Sequence, residues 1–249
     1  MSSTPIINSG PGSAAQHPGE YGPVMPVYVW QYPLRLAHWG IVLSIAVLSV
    51  TGLYIHDPYI SGQLDRPFFM GWIRFTHEAF GMLFMAMVLL RIYLFFGGNR
   101  WENWREMVPI NRGRFVEMIN VSKFYMFINP KPVAKIGHNA MAALSYIGIY
   151  SLALVEILTG LTLYWRLDHN RYLGWLVSWV PGMMSVPNIR LLHFLLMFVF
   201  ICFGIFHVHL AMLISREEKR GLMDSIFIGW KIIPVKDVDK AESEEGRRA

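Results

Sequence analysis

The chain has 249 residues, 54% of them apolar and only 16% charged, with a formal net charge of +5 and a mean hydropathy of +0.36. Those values exclude an ordinary soluble domain, in which about a quarter of the residues carry charge. The basic residues fall between apolar runs with no interleaved aromatic stripe, which argues against nucleic acid, and the lone Cys202 excludes an intrachain disulfide, a thiolate iron–sulfur cluster and a cysteine zinc site.

Residues 1–30 are rich in Gly, Pro and Ser. They read as a flexible arm and not as a cleaved signal peptide, so the first apolar run is expected to stay in the mature protein. Four runs, roughly 39–55, 79–96, 139–165 and 191–214, are apolar enough to cross a bilayer, which takes about 20 residues. The first is short but uncharged, and Trp30, Tyr32 and Tyr54 can extend it at the interfaces. Between the second and third, residues 115–128 ("FVEMINVSKFYMFI") predict an amphipathic helix lying on the membrane surface. Between the third and fourth, the run 172–186 is interrupted by Pro181 and Gly182 and is expected to lie on the surface as well. After Pro234 the sequence becomes charged and tail-like. The reading is an all-α membrane protein: an arm at 1–30, a four-helix transmembrane bundle at 31–231 and a charged tail at 232–249.

Charge bias orients the bundle. One basic residue, Arg35, precedes the first span, seven lie between the second and third, and eight follow the fourth. The other two loops carry only Arg66, Arg74, Arg166, Arg171 and Arg190. Positive residues stay inside, so both termini are expected in the cytoplasm, at a bacterial inner membrane.

Histidines recur at the span starts. "RLAH" ends in His38, "RFTH" in His77 and "RLLH" in His193, with a weaker "KIGH" ending in His138. The fourth span also carries "HVH", His207 and His209, near its other end. A histidine at a helix end often only anchors at the interface, with its arginine snorkelling beside it. The set argues for more, because ionisable groups inside a membrane are costly and usually face the bundle interior. His193 and His207 are 14 residues apart, about 21 Å, and fall about 40° short of four full turns, so one helix face presents an imidazole near each membrane surface. In the expected orientation His77 lies at the depth of His193, and His38 at the depth of His207. Two facing imidazoles, twice over, are what two stacked haems b require. An arginine three residues before a histidine shares its helix side, so Arg35, Arg74 and Arg190 are candidates to clamp haem propionates by paired hydrogen bonds. Each span also holds a glycine (Gly52, Gly81, Gly160 and Gly204) that could admit a planar macrocycle or a close helix neighbour.

The stretches "PLRLAHW", "MGWIRFTHEAFG", "RIYLFFGGNR", "IGHNAMA" and "TGLTLY", with the H-x13-H of the last span, cover roughly residues 28–231. Together they resemble the b-type cytochrome subunit of membrane-bound nickel–iron uptake hydrogenases. The resemblance implies a haem b protein that anchors the hydrogenase small (iron–sulfur) and large (nickel–iron) subunits on the outer face and passes electrons to quinone. The chain departs from that pattern at Ile189, where the family often has a second histidine, at His209, where some members have tyrosine, and at Glu156, where an apolar residue is usual. Rival readings are the cytochrome b subunit of a formate dehydrogenase or thiosulfate-type reductase, a stand-alone b561-like di-haem quinol or superoxide oxidoreductase, and a colourless transporter or anchor.

Three finer expectations follow. The outer loops 56–76 and 166–190, with Tyr59, Phe68, Phe69, Trp175 and Trp179, are expected to dock the partner subunits, unless those rings serve only as an interfacial aromatic belt. His138 and Asn139 are candidates for a quinone carbonyl near the cytoplasmic haem, with helix capping as the plainer role. His207 is expected to bind iron and His209 to face away, because residues at i and i+2 point about 200° apart.

Overall fold

The computed structural model describes residues 23–58, 68–99, 112–126, 128–129, 140–169, 171–218 and 221–239. Its four long helices are α1 (Tyr32–His56), α2 (Phe69–Gly97), α4 (Ala140–Asp168) and α7 (Val186–Glu218). All four are long and apolar enough to cross a membrane. Each extends beyond the run expected from hydropathy, because tyrosine, tryptophan and the odd arginine continue a helix through the interfacial zone that an apolar window discards. Pro33 stands in the first turn of α1, where a missing N–H leaves no helical partner unsatisfied.

α1 and α2 make the most extensive helix contact, closest at Gly40, where an added Cβ would stand 2.6 Å from Met87 Cγ. Many large side chains on the spans, among them Val50, Leu89, Tyr93, Ile205 and Phe206, face outward, as lipid-facing positions of a membrane bundle do. Inward, Phe84, Val88, Ala153, Leu196 and Phe200 form an apolar layer at mid-depth, with Ile45 packed against it.

Two of the connections carry shorter helices among the described residues. The expected surface helix is α3 (Arg112–Tyr125), which packs on α4. Its Val121 and Phe124 are buried, and Glu117 Oε1 accepts the Ala140 N–H at the start of α4, 3.0 Å away. The interrupted run before the fourth span forms α5 (Arg171–Val177) and α6 (Val180–Met183) and does not span.

The two chain flanks pair with each other. β1 (Val24–Tyr28) runs antiparallel to β2 (Trp230–Pro234), and α8 (Leu222–Ile228) leads into β2. Val29, Trp30, Leu34, Leu94, Ile233 and Val238 form a second core beneath this ribbon. Trp30 Nε1 donates to Ser225 Oγ at 3.0 Å, and Asn99 Nδ2 to the Val29 carbonyl at 3.0 Å. Boundaries drawn by composition at residues 31 and 231 run through this ribbon, so residues 24–30 and 232–234 belong to the folded unit. The ribbon marks one end of the bundle, the strand end. The end of α1, the start of α2, and α5 and α6 lie at the far end.

Candidate cofactor site

At the strand end His38 of α1 faces His207 of α7 with ring centroids 6.3 Å apart. At the far end His77 of α2 faces His193 of α7, again at 6.3 Å. An imidazole nitrogen binds a metal at about 2.0–2.1 Å, and the ring centre lies about 1.1 Å behind it, so two rings on opposite sides of one metal have centroids roughly 6.2–6.4 Å apart. Both pairs match that spacing. Among the described residues no group of three His, Cys, Asp or Glu side chains could hold an ion without further ligands. Each pair would supply two imidazole donors to one iron, and so fits a haem b, which two histidines can hold.

The far-end pair is oriented by its neighbours. Thr51 Oγ1 lies 2.9 Å from His77 Nδ1, and Thr159 Oγ1 lies 3.0 Å from His193 Nδ1. Each threonine hydroxyl also lies within donating reach of its own helix, Thr51 of the Val47 carbonyl at 2.8 Å, and Thr159 of the Glu156 carbonyl at 2.9 Å and the Val155 carbonyl at 3.0 Å. A hydroxyl has one proton; given to the helix, it leaves Oγ1 to accept from a ring whose Nδ1 carries the hydrogen. That leaves Nε2 of both rings as the free lone pair. Glycine follows each threonine: a Cβ at Gly52 would stand 3.3 Å from His77 Cε1, and one at Gly160 would stand 3.1 Å from His193 Cε1. Of the four span glycines these two lie against the histidine rings, while an added Cβ at Gly81 or Gly204 meets nothing within 4 Å. Glu156 Oε1 approaches His193 Nδ1 at 3.3 Å, which puts this carboxyl group beside the far-end pair.

The strand-end pair has different surroundings. His38 Nδ1 is buried and has no hydrogen-bond partner among the described residues. His207 stacks on Phe203 and meets the edge of Tyr146. Arg91 of α2 is buried, with its guanidinium 5.8 Å from the Tyr150 ring centre. The sequence reading passed over Arg91 and both tyrosines. A single base inside an apolar span was the signal, since such residues usually face the interior for a reason.

The remaining candidates are spread more widely. Arg35 bonds the Phe227 carbonyl through Nη1 and lies over the Tyr32 ring, so it ties α1 to α8 on the rim of the strand-end pair. Arg74 and Arg190 are exposed near the far end. His209 is exposed and lines an apolar cleft between α1 and α7, away from His38. Phe68, Trp175 and Trp179 are exposed, while Phe69 is half-buried against Tyr54. His138, Asn139 and Tyr59 lie outside the described residues.

Known proteins resemble this chain in sequence. Residues 29–229 match the family model of prokaryotic cytochrome b561. The "Probable Ni/Fe-hydrogenase 1 B-type cytochrome subunit" of Escherichia coli K12 is 34% identical over 78% of this chain and 85% of its own length. The corresponding Azotobacter vinelandii protein is 32% identical over 83% and 88%, and that of Cupriavidus necator 30% over 84% and 88%. With four apolar spans and a match across nearly all of them, this chain belongs to the prokaryotic cytochrome b561 family and is a multi-pass membrane cytochrome b.

Proposed function

We propose that the chain is the membrane electron-transfer subunit of a nickel–iron hydrogenase. It takes electrons from the iron–sulfur small subunit at the outer face of a bacterial inner membrane and delivers them to quinone near the cytoplasmic face. The observation that carries this reading is the pair of facing imidazoles repeated at two depths, each at 6.3 Å. The names of the relatives supply the donor complex. Charge bias puts the strand end, with both chain flanks, in the cytoplasm.

In this reading His77 and His193 hold an outer haem b, and His38 and His207 an inner one. Haem b supplies one-electron transfer. The two ligand levels are about 21 Å apart along α7, so the chain can carry electrons across most of the bilayer. Between them the Phe84 and Phe200 rings, 6.1 Å apart, keep water and protons out of the route. Arg74 and Arg190 pair with the outer propionates and Arg35 with the inner ones. The aromatic far-end loops receive the small and large hydrogenase subunits. His138 and Asn139, just before α4 at the strand end, hydrogen-bond a quinone carbonyl, so protons for its reduction come from the cytoplasm.

The test is the haem-to-polypeptide ratio of purified variants, with analysis of co-purifying proteins. Wild type is expected to hold two haems and to bring down a nickel- and iron-containing partner. His38→Ala, His77→Ala, His193→Ala and His207→Ala should each roughly halve the haem, while His209→Ala preserves it. Loss in the His209 variant with retention in the His207 variant overturns the pairing, and a molybdenum partner overturns the donor. His138→Ala should keep both haems and lose quinone reduction. Normal quinone reductase activity in that variant removes the quinone site.

A further inference from the structure

We propose that Thr51 and Thr159 are positioning residues for the outer haem, and that their hydrogen bonds make it the lower-potential centre of the two. The inference rests on the ligand assignment above.

The argument follows the protons. Each threonine hydroxyl has a carbonyl of its own helix to take its only proton, Val47 at 2.8 Å for Thr51, and Glu156 at 2.9 Å with Val155 at 3.0 Å for Thr159. Its oxygen is then an acceptor for the ligand ring beside it, His77 Nδ1 at 2.9 Å and His193 Nδ1 at 3.0 Å. Glu156 Oε1, at 3.3 Å, adds a second acceptor on the His193 side. Accepting the Nδ1–H fixes the tautomer and the ring rotation, and raises the basicity of the opposite nitrogen that faces the iron. A more basic ligand stabilises ferric over ferrous iron, so the potential falls; such hydrogen bonds are among the levers a protein has on a haem.

Among the described residues the inner pair lacks this device. His38 Nδ1 is buried with no acceptor among the described residues, and His207 is held by the Phe203 and Tyr146 rings. The same cofactor type is therefore placed in two inequivalent ligand settings. The difference favours electrons passing from the outer centre to the inner one.

The repeated Thr-Gly pair is the sequence trace of this arrangement. "TGLY" in α1 and "TGLTLY" in α4 present Thr51-Gly52 and Thr159-Gly160. They come from two different helices and serve rings on two others. In each case the hydroxyl holds Nδ1 and the glycine leaves room for Cε1.

Redox titration of the haem spectrum in the purified complex tests the proposal. Wild type should resolve two components, with the lower one missing from His77→Ala. Thr51→Val and Thr159→Val should each raise the lower midpoint, the double variant more than either, with the upper midpoint unmoved. Thr51→Ser and Thr159→Ser should restore it. Thr162→Val is the control, because buried Thr162 also bonds its own helix, at the Leu158 carbonyl, and touches no ligand ring. Loss of the outer haem in the valine variants, restored by serine, also supports a positioning role. Retained haem with an unshifted lower midpoint, an equal shift in Thr162→Val, or loss of the upper component in His77→Ala overturns the inference. Unchanged haem content in both His77→Ala and His193→Ala would instead defeat the ligand assignment beneath it.

Discussion

Gly160 shows how little material separates His193 from its neighbouring helix. Any side chain there meets His193 Cε1 at 3.1 Å, closer than a methyl group normally sits to a ring carbon, so the imidazole must move by a few tenths of an ångström. Ligand geometry tolerates little such displacement. Gly160→Ala should therefore carry the haem-to-polypeptide ratio from two toward one, while Gly148→Ala, with nothing within 4 Å, stays at the wild-type ratio. An unchanged ratio in Gly160→Ala would mean that the ring has room to adapt. At this scale the four paired histidines were readable from types and spacing, but the threonines were not. Thr51 and Thr159 are ordinary residues in an apolar span until another helix puts an Nδ1 within hydrogen-bond reach.

Along each helix the functional positions fall on one repeat of seven. His193, Phe200 and His207 mark three depths of α7, and His77, Phe84 and Arg91 mark the same three on α2. His38, Ile45 and Gly52 do so on α1, and Tyr146, Ala153 and Gly160 on α4. Two polar levels thus bracket one apolar layer, in which Phe84, Ala153 and Phe200 are packed with Ile45. A seven-residue repeat keeps one stripe of each helix toward the bundle axis. The flank ribbon follows a different logic. Gly229 has φ 88°, and a Cβ there would meet Tyr28 at 2.5 Å and the Trp30 carbonyl at 2.8 Å. A left-handed non-glycine residue costs about 1–2 kcal/mol, and the collision adds to it. Gly229→Ala should thus destabilise the fold by about 2 kcal/mol or more, measured as a lower thermal midpoint in detergent. An unchanged midpoint would show that the ribbon contributes little.

For the molecule as a whole, an even number of spans and the β1–β2 pairing put both flanks at one end. Labelling can identify which side of the membrane that is. With the exposed Cys202 replaced by Ala, an impermeant maleimide added to intact spheroplasts should modify Trp175→Cys. It should reach Asp237→Cys only after the membrane is opened. The reverse pattern would invert the bundle and move the proposed quinone site to the outer face. The exposed Phe68, Trp72, Trp175 and Trp179 at the far end fit either a docking surface or an aromatic belt. Protection of Trp175→Cys from the reagent by the assembled hydrogenase would select docking.

By itself the sequence determined that this is a membrane bundle, how many times it crosses, and which histidines share a depth. Hydropathy, charge bias and helical periodicity are properties of consecutive residues, and a bilayer forces nearly every backbone hydrogen bond to be local. Only the tertiary structure decided what surrounds each imidazole, because those contacts join residues far apart in the chain: Thr51 with His77, Thr159 and Glu156 with His193, Tyr146 with His207. It also decided the fate of the flanks. Residues 24–28 carry no pattern that announces a strand, and they become one because β2, some 200 positions later, supplies the missing hydrogen-bond partners.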